Sequence, residues 1–275
     1  MIKRLFACVL LLAMLMPACH AQTGTLRALS VGIARYDDGR VRTGGVNSTQ
    51  GMYDALSRAF GVYGSFQGDL ALDTTKQRLL ELIEETFSEA GAADVSLLYI
   101  NAHGGSQAGV SWIETREGAR LTAPELERAL RKIKGRVVLL IDCCASGGFT
   151  GFAGAYADGF CANFLASNKY MALVSCALDE NSYRVSAKDA QEGNVSTAFS
   201  RAVCEGLGWD LINDRSTSLK ADADRDRSVS LSELYSYVLR RAGFYLSGSS
   251  EAVQTASLCP EACPFVIASR GSREE

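Results

Sequence analysis

The sequence predicts an α/β fold: a mostly parallel sheet with helices on both faces, a three-layer sandwich. Three observations lead there. Residues 95–100 and 137–141 are unbroken apolar runs, the pattern of strands buried on both faces, and residues 170–175 form a third. Between them lie stretches with apolar residues at helical spacing. Strand and helix alternate along the chain, as a helix-covered parallel sheet requires. At 47% hydrophobic and 21% charged residues the chain is too apolar for disorder, and 275 residues suffice for one sizeable core.

Each element has its own signal. Residues 26–34 are rich in strand formers and close on a turn at Asp37-Asp38-Gly39. Residues 47–60 carry Met52, Leu56 and Phe60 on one helical face. Asp73-Thr74-Thr75 caps a second helix to residue 90, with Leu79, Leu80, Ile83 and Phe87 inward. Residues 110–121 read as a hairpin around Glu117-Gly118. Thr122, Pro124 and Glu125 begin a helix that is expected to end at Gly135. Further helices are expected at 196–206 and 231–242.

The first 21 residues are expected to be an export signal rather than part of the fold, which would occupy residues 22–275 as one domain. Lys3 and Arg4 precede an apolar run over 5–16, and small residues follow. Cleavage after Ala21 or before Cys19 fits; the second follows from Met16-Pro17-Ala18-Cys19, which resembles a bacterial lipobox with Cys19 as the lipid carrier. The chain is therefore expected to be secreted, periplasmic or lipid-anchored at the surface, touching a membrane only through the signal or a lipid. The net charge is −3, with no block of five like charges, so no nucleic-acid face is indicated. Two histidines, His20 and His103, stand against nine cysteines. A three-histidine zinc site or a zinc-protease helix cannot be built from them. Removal of the signal leaves His103 alone.

In open α/β sheets, sites form beyond the carboxyl ends of the strands. Asn101-Ala102-His103-Gly104-Gly105 follows one buried run, and Asp142-Cys143-Cys144-Ala145-Ser146-Gly147-Gly148 follows the next. The imidazole and a thiol thus meet at one sheet edge. A thiol attacks as thiolate, and a nearby imidazole can take its proton and return it to a leaving amine. The amides of Gly104 and Cys144 could hold the oxyanion. The plainer alternative is a strand-end imidazole bonded to backbone and a small buried thiol.

Y-I-N-A-H-G-G followed by L-L-I-D-C-C-A-S-G-G resembles the caspase-like cysteine peptidases, among them caspases, metacaspases, legumain and clostripain. R-A-L-S-V-G-I resembles their first strand. L-V-S-C-A-L-D-E-N-S-Y resembles the strand and loop after the nucleophile, and S-T-A-F-S-R-A-V-C-E-G-L the next helix. Residues 222–238 resemble a segment common in exported bacterial members. The likeness spans nearly all of the chain after residue 21, and implies a caspase-like sheet and a monomeric endopeptidase acting on proteins or peptides. It implies Cys144 as nucleophile, with Cys143 the competing candidate, and His103 as base. It implies that Asp142, helped by Asp179 and Glu180, binds Arg or Lys before the cleaved bond. Self-cleavage at Arg184 or Lys188 would follow. The alternative is a catalytically silent binding module on the same scaffold. A serine hydrolase is disfavoured, because no G-x-S-x-G elbow is present.

Two further features stand apart. Asp222, Asp224, Asp226, Ser228, Ser230 and Glu233 have the spacing of a calcium loop, though Arg227 stands where glycine is usual. The segment reads either as a calcium site at Asp222, Asp224, Asp226 and Glu233 or as a solvated turn; the peptidase chemistry itself needs no cofactor. Cys259 and Cys263, in C-P-E-A-C-P, are the pair expected to form a disulfide.

Overall fold

The computed structural model describes residues 22–150, 169–186, 195–248 and 252–270. Residues 1–21, Cys161 and Lys188 lie outside them, so the signal, the lipobox and one of the two expected self-cleavage points do too. The chain runs β1 (Gln22–Gly32), α1 (Gly45–Arg58), β2 (Tyr63–Leu72), α2 (Lys76–Phe87) and β3 (Val95–Asn101). A three-stranded ribbon follows: β4 (Gly104–Gln107), β5 (Val110–Glu114) and β6 (Arg120–Thr122). Next come α3 (Ala123–Leu130), β7 (Arg136–Asp142), β8 (Tyr170–Val174), β9 (Arg184–Ser186), β10 (Val195–Thr197) and α4 (Ala198–Gly206). Short strands β11 (Trp209–Asp210), β12 (Arg215–Ser216) and β13 (Ser228–Ser230) lead into α5 (Leu231–Leu246), β14 (Ser257–Cys259) and β15 (Val266–Ser269).

The main sheet has six strands in the order β14-β8-β7-β3-β1-β2; all neighbours are parallel except β14 against β8. The two runs that look most buried in sequence, β3 and β7, pair at the centre, with Asn101 beside Asp142. Their side chains alternate between two cores. Leu97, Tyr99, Val138 and Leu140 pack under α1, α4 and α5; Leu98, Ile100, Leu139 and Ile141 pack under α2 and α3. This is the expected sandwich, with helices on both faces. Among the described residues no helix is long and apolar enough to cross a membrane.

The differences from expectation are local. Strand β2 gave no sequence signal because it is an edge strand with few fully buried side chains, over Y-G-S-F-Q-G-D-L-A-L. Helix α3 stops at Leu130 rather than at Gly135. Gly135 instead takes a left-handed φ of 72° where its Cα closes on the Asp94 and Gly91 carbonyls, leading directly into β7. The expected Cys259–Cys263 disulfide is absent: the two sulfurs are not bonded to each other. Cys259 belongs to the core under α2 and α3, and Cys263 to the core on the other side of the sheet.

Candidate active site

His103 follows β3 directly. Its amide donates to the Tyr36 hydroxyl (2.9 Å), and its carbonyl accepts from the Glu114 amide (2.9 Å). The imidazole lies against the Tyr36 ring, centroids 5.1 Å apart, and the Arg40 guanidinium sits over that same tyrosine ring at 4.8 Å. Arg40 is in turn held by both oxygens of Glu114, at 2.6 and 3.0 Å. Burial pushes the His103 imidazole below its ordinary value, and the cations Arg42, Arg40 and Arg184 add to this against Glu114. Burial also holds Tyr36 as a neutral phenol, its value pushed up to about 12.

Cys144 sits in the turn after β7. The two neighbouring thiols have different fates. Cys143 is fully buried, its sulfur lodged where a side chain on Gly104 would be (2.7 Å from an ideal Cβ), and burial drives its thiol strongly up. Cys144 is partly exposed and lines a cleft of about 240 Å³ together with Val41, Arg42, His103, Ser182, Tyr183 and Arg184. The turn is fixed at its next residue. Ala145 holds a left-handed φ of 56°, donates its amide to the Glu180 carbonyl (2.9 Å) and accepts the Ser111 hydroxyl on its own carbonyl (2.5 Å). Gly104 opens β4 next to His103 and packs so tightly on Cys143 and the Trp112 carbonyl that no larger residue fits.

Of the residues expected to bind a basic side chain, none lines this cleft. Asp142 is fully buried and does not line the cleft. Asn101 Nδ2 donates to it at 2.8 Å and Ser182 Oγ at 2.6 Å, and the Thr197 and Ser200 hydroxyls complete its shell. Three of these donors fall on Oδ2 and one, Ser182, on Oδ1. Glu180 is spent on the loop, accepting from the Ala177 amide and from the amide and hydroxyl of Thr255. Asp179 is exposed and absent from the cleft lining. Among the described residues, the charged groups that line the cleft, besides the imidazole, are Arg42 and Arg184. Arg42 is 7% exposed, and its guanidinium donates to Asn101 Oδ1, so Asn101 bridges it to Asp142. Arg184, considered in sequence as a self-cleavage point, lines the cleft.

The sequence reading missed Tyr36, Arg42, Ser182 and the wall role of Arg184. The signal was available. The rule about carboxyl ends of strands applies equally to the loop after β1, which carries Tyr36, Arg40 and Arg42, and to the segment after β8, which carries Ser182. Both strands flank the central pair.

The chain matches no protein-family model and no curated protein. It does superpose on solved structures. Caspase-1 from Spodoptera frugiperda matches 93% of this chain and 94% of its own, with a TM-score of 0.61 and 14% identity. A protein from Geobacter sulfurreducens matches 85% of this chain and 92% of its own, with a TM-score of 0.56 and 16% identity. The fold is caspase-like. In this caspase-like chain the cleft stands at the carboxyl ends of β3, β7 and β8, and it brings together one imidazole, one partly exposed thiol and two guanidinium groups.

Away from the cleft, the oxygens of Asp222, Asp224 and Asp226 lie within 4.8 Å of one another. Arg225 and Arg227 both take left-handed φ values, 64° and 71°, so the chain makes the sharp turn at position 227 without glycine. Glu233 is engaged with the Ala223 and Ser230 amides and caps α5. Burial pushes the Asp222 carboxyl up, and the neighbouring carboxylates push the same way.

Proposed function

We propose that this protein is a cysteine endopeptidase that cleaves after an acidic residue. The observation that carries this reading is the composition of one cleft: Cys144, His103, Arg42 and Arg184 together, with Asp142 turned inward and satisfied. In this reading His103 takes the proton from Cys144 Sγ, and the thiolate attacks the scissile carbonyl carbon. The amides of Gly104 and Cys144 hold the resulting oxyanion. His103 then protonates the departing amine, and water attacks the thioester with His103 as base. The acidic side chain before the cleaved bond pairs with the guanidinium groups of Arg42 and Arg184. This reading departs from the basic selectivity expected from Asp142; what supports it is that Arg42 and Arg184, and not Asp142, line the cleft.

The test is a panel of peptides differing only in the residue before the cleaved bond: Asp, Glu, Asn, Gln, Arg and Lys. Turnover after Asp or Glu is expected to exceed turnover after Arg or Lys. Faster cleavage after Arg or Lys would reject the acidic pocket, and no cleavage and no thiol labelling would favour the silent binding module. The pH dependence follows from the surroundings of His103. Burial and nearby cations disfavour the imidazolium, so the neutral base persists to lower pH. The acidic limb of kcat/KM is therefore expected below the ordinary imidazole value of about 6.5. A limb at or above that value in the free enzyme would count against His103 as the base.

We further propose, from residues 1–21, that the chain acts as a monomer after export, free or lipid-anchored. A calcium ion at Asp222, Asp224 and Asp226, with Glu233, would brace the turn before α5 and would take no part in the chemistry. Calcium is then expected to raise the thermal midpoint and a chelator to lower it. An unchanged midpoint would leave the segment as a solvated turn.

A further inference from the structure

The cleft places the groups that would recognise substrate and the groups that would react in the same small volume. Arg42 and Arg184 line it with His103 and Cys144, within about 240 Å³. A charge bound at the arginines is therefore felt at the imidazole.

Resting on the acidic-substrate reading above, we propose that the substrate's own carboxylate drives the Cys144 proton onto His103, so that an acidic substrate activates the nucleophile that cuts it. The step is a proton transfer that needs no co-reactant. The Cys144 S–H bond breaks, its electron pair stays on sulfur, and the proton forms an N–H bond on the His103 ring. Products are a thiolate and an imidazolium.

The charges facing His103 give the direction. From the loop after β1 come the cations Arg40 and Arg42 and the neutral phenol of Tyr36. From the end of β5 comes Glu114, already paired with both nitrogens of the Arg40 fork. From β9 comes the cation Arg184, and from the turn after β7 the Cys144 thiol. Without substrate, three cations against one carboxylate oppose a positive charge on the ring, and burial opposes it as well. The neutral imidazole is therefore favoured in the free enzyme. A carboxylate set between Arg42 and Arg184 cancels part of that positive field, in a cleft where the substrate also excludes water and weakens screening. The imidazolium then becomes acceptable, and with it the thiolate it stabilises. Asp142, buried and bonded to Asn101, Ser182, Thr197 and Ser200, is not among the main charges that act on the ring.

The chain offers an unusually direct readout, since it contains two histidines. In full-length protein carrying His20→Gln, the His103 ring is the single imidazole signal. With Cys144→Ala added to prevent turnover, its titration is followed by NMR in three states: free, with a peptide presenting Asp before the scissile bond, and with the isosteric Asn peptide. Both peptides exclude the same water; only one brings the charge. His103 is expected to titrate about one pH unit higher in the Asp complex than in the Asn complex. Equal titration in both complexes, with wild-type protein still cleaving the Asp peptide, would overturn the coupling and leave the acidic specificity standing. Failure of wild-type protein to bind or cleave the Asp peptide would remove the specificity reading and this inference with it. Kinetics give a second readout: Asp-over-Asn preference is expected in kcat as well as in KM, whereas a pure binding role of the arginines would leave kcat equal.

Discussion

Replacing Cys144 by alanine is expected to lower peptide cleavage by at least about 10⁴-fold while leaving the thermal midpoint nearly unchanged. The size follows from what nucleophile removal costs in enzymes where base and nucleophile act as one unit. The small stability effect follows from position: Cys144 is partly exposed on the cleft rather than packed in a core. Among the described residues no neighbouring thiol can substitute. Cys143 is fully buried against Gly104, and Cys176 is buried with its sulfur bonded to the Cys143 and Glu180 carbonyls. The contrast with Cys143→Ala is part of the expectation. That change opens a hole beneath β4 and lowers stability, yet keeps a thiol on the cleft. Intact cleavage by Cys144→Ala, or thiol-probe labelling that survives it, would show that the reacting sulfur is another one.

The second large effect concerns Arg42. Arg42→Gln is expected to reduce kcat/KM toward an aspartyl peptide by about 10²–10³-fold and toward the matching asparaginyl peptide far less. A glutamine cannot replace a guanidinium as the partner of a carboxylate, but it retains an amide that can donate to Asn101 Oδ1, the acceptor Arg42 now uses. The hydroxyl donors of Asp142, from Ser182, Thr197 and Ser200, are untouched by the change. The measurement is the ratio of the two substrates, which cancels any general loss of folded protein. Equal losses on both peptides would show that Arg42 shapes the cleft without meeting the substrate's charge.

The central layer of the fold was plain in the sequence because β3 and β7 are mostly apolar and are followed by the turns that carry His103 and Cys144. The thiol and imidazole could be found for the same reason: each follows a buried strand. Strand β2 escaped because an edge strand with half its side chains in water does not look buried. The sign of the cleft escaped for a different reason. Asp142 stands two residues before the nucleophile and Arg42 far away in sequence, so adjacency favoured the carboxylate. Whether a carboxylate faces substrate or interior depends on donors from Asn101, Thr197 and Ser200, which only the folded chain brings to it. Likewise, spacing suggested a Cys259–Cys263 bond, while the sheet between the two cores separates the sulfurs.

The turn after β7 carries a consequence for the order in which the molecule can be assembled. Ala145 is held by the Glu180 carbonyl, and the Glu180 side chain is held in turn by Thr255, on the approach to β14. Strand β14 closes the sheet edge against β8, with Leu258 beside Leu173. The nucleophile is thus fastened by residues more than a hundred positions downstream. Synthesis runs from the N-terminus, and domains fold as units. While the chain is still emerging from the ribosome, with His103 and Cys144 already made but Thr255 not yet added, the turn lacks its anchor. The turn that carries Cys144 is therefore fastened only after residue 255 has been made.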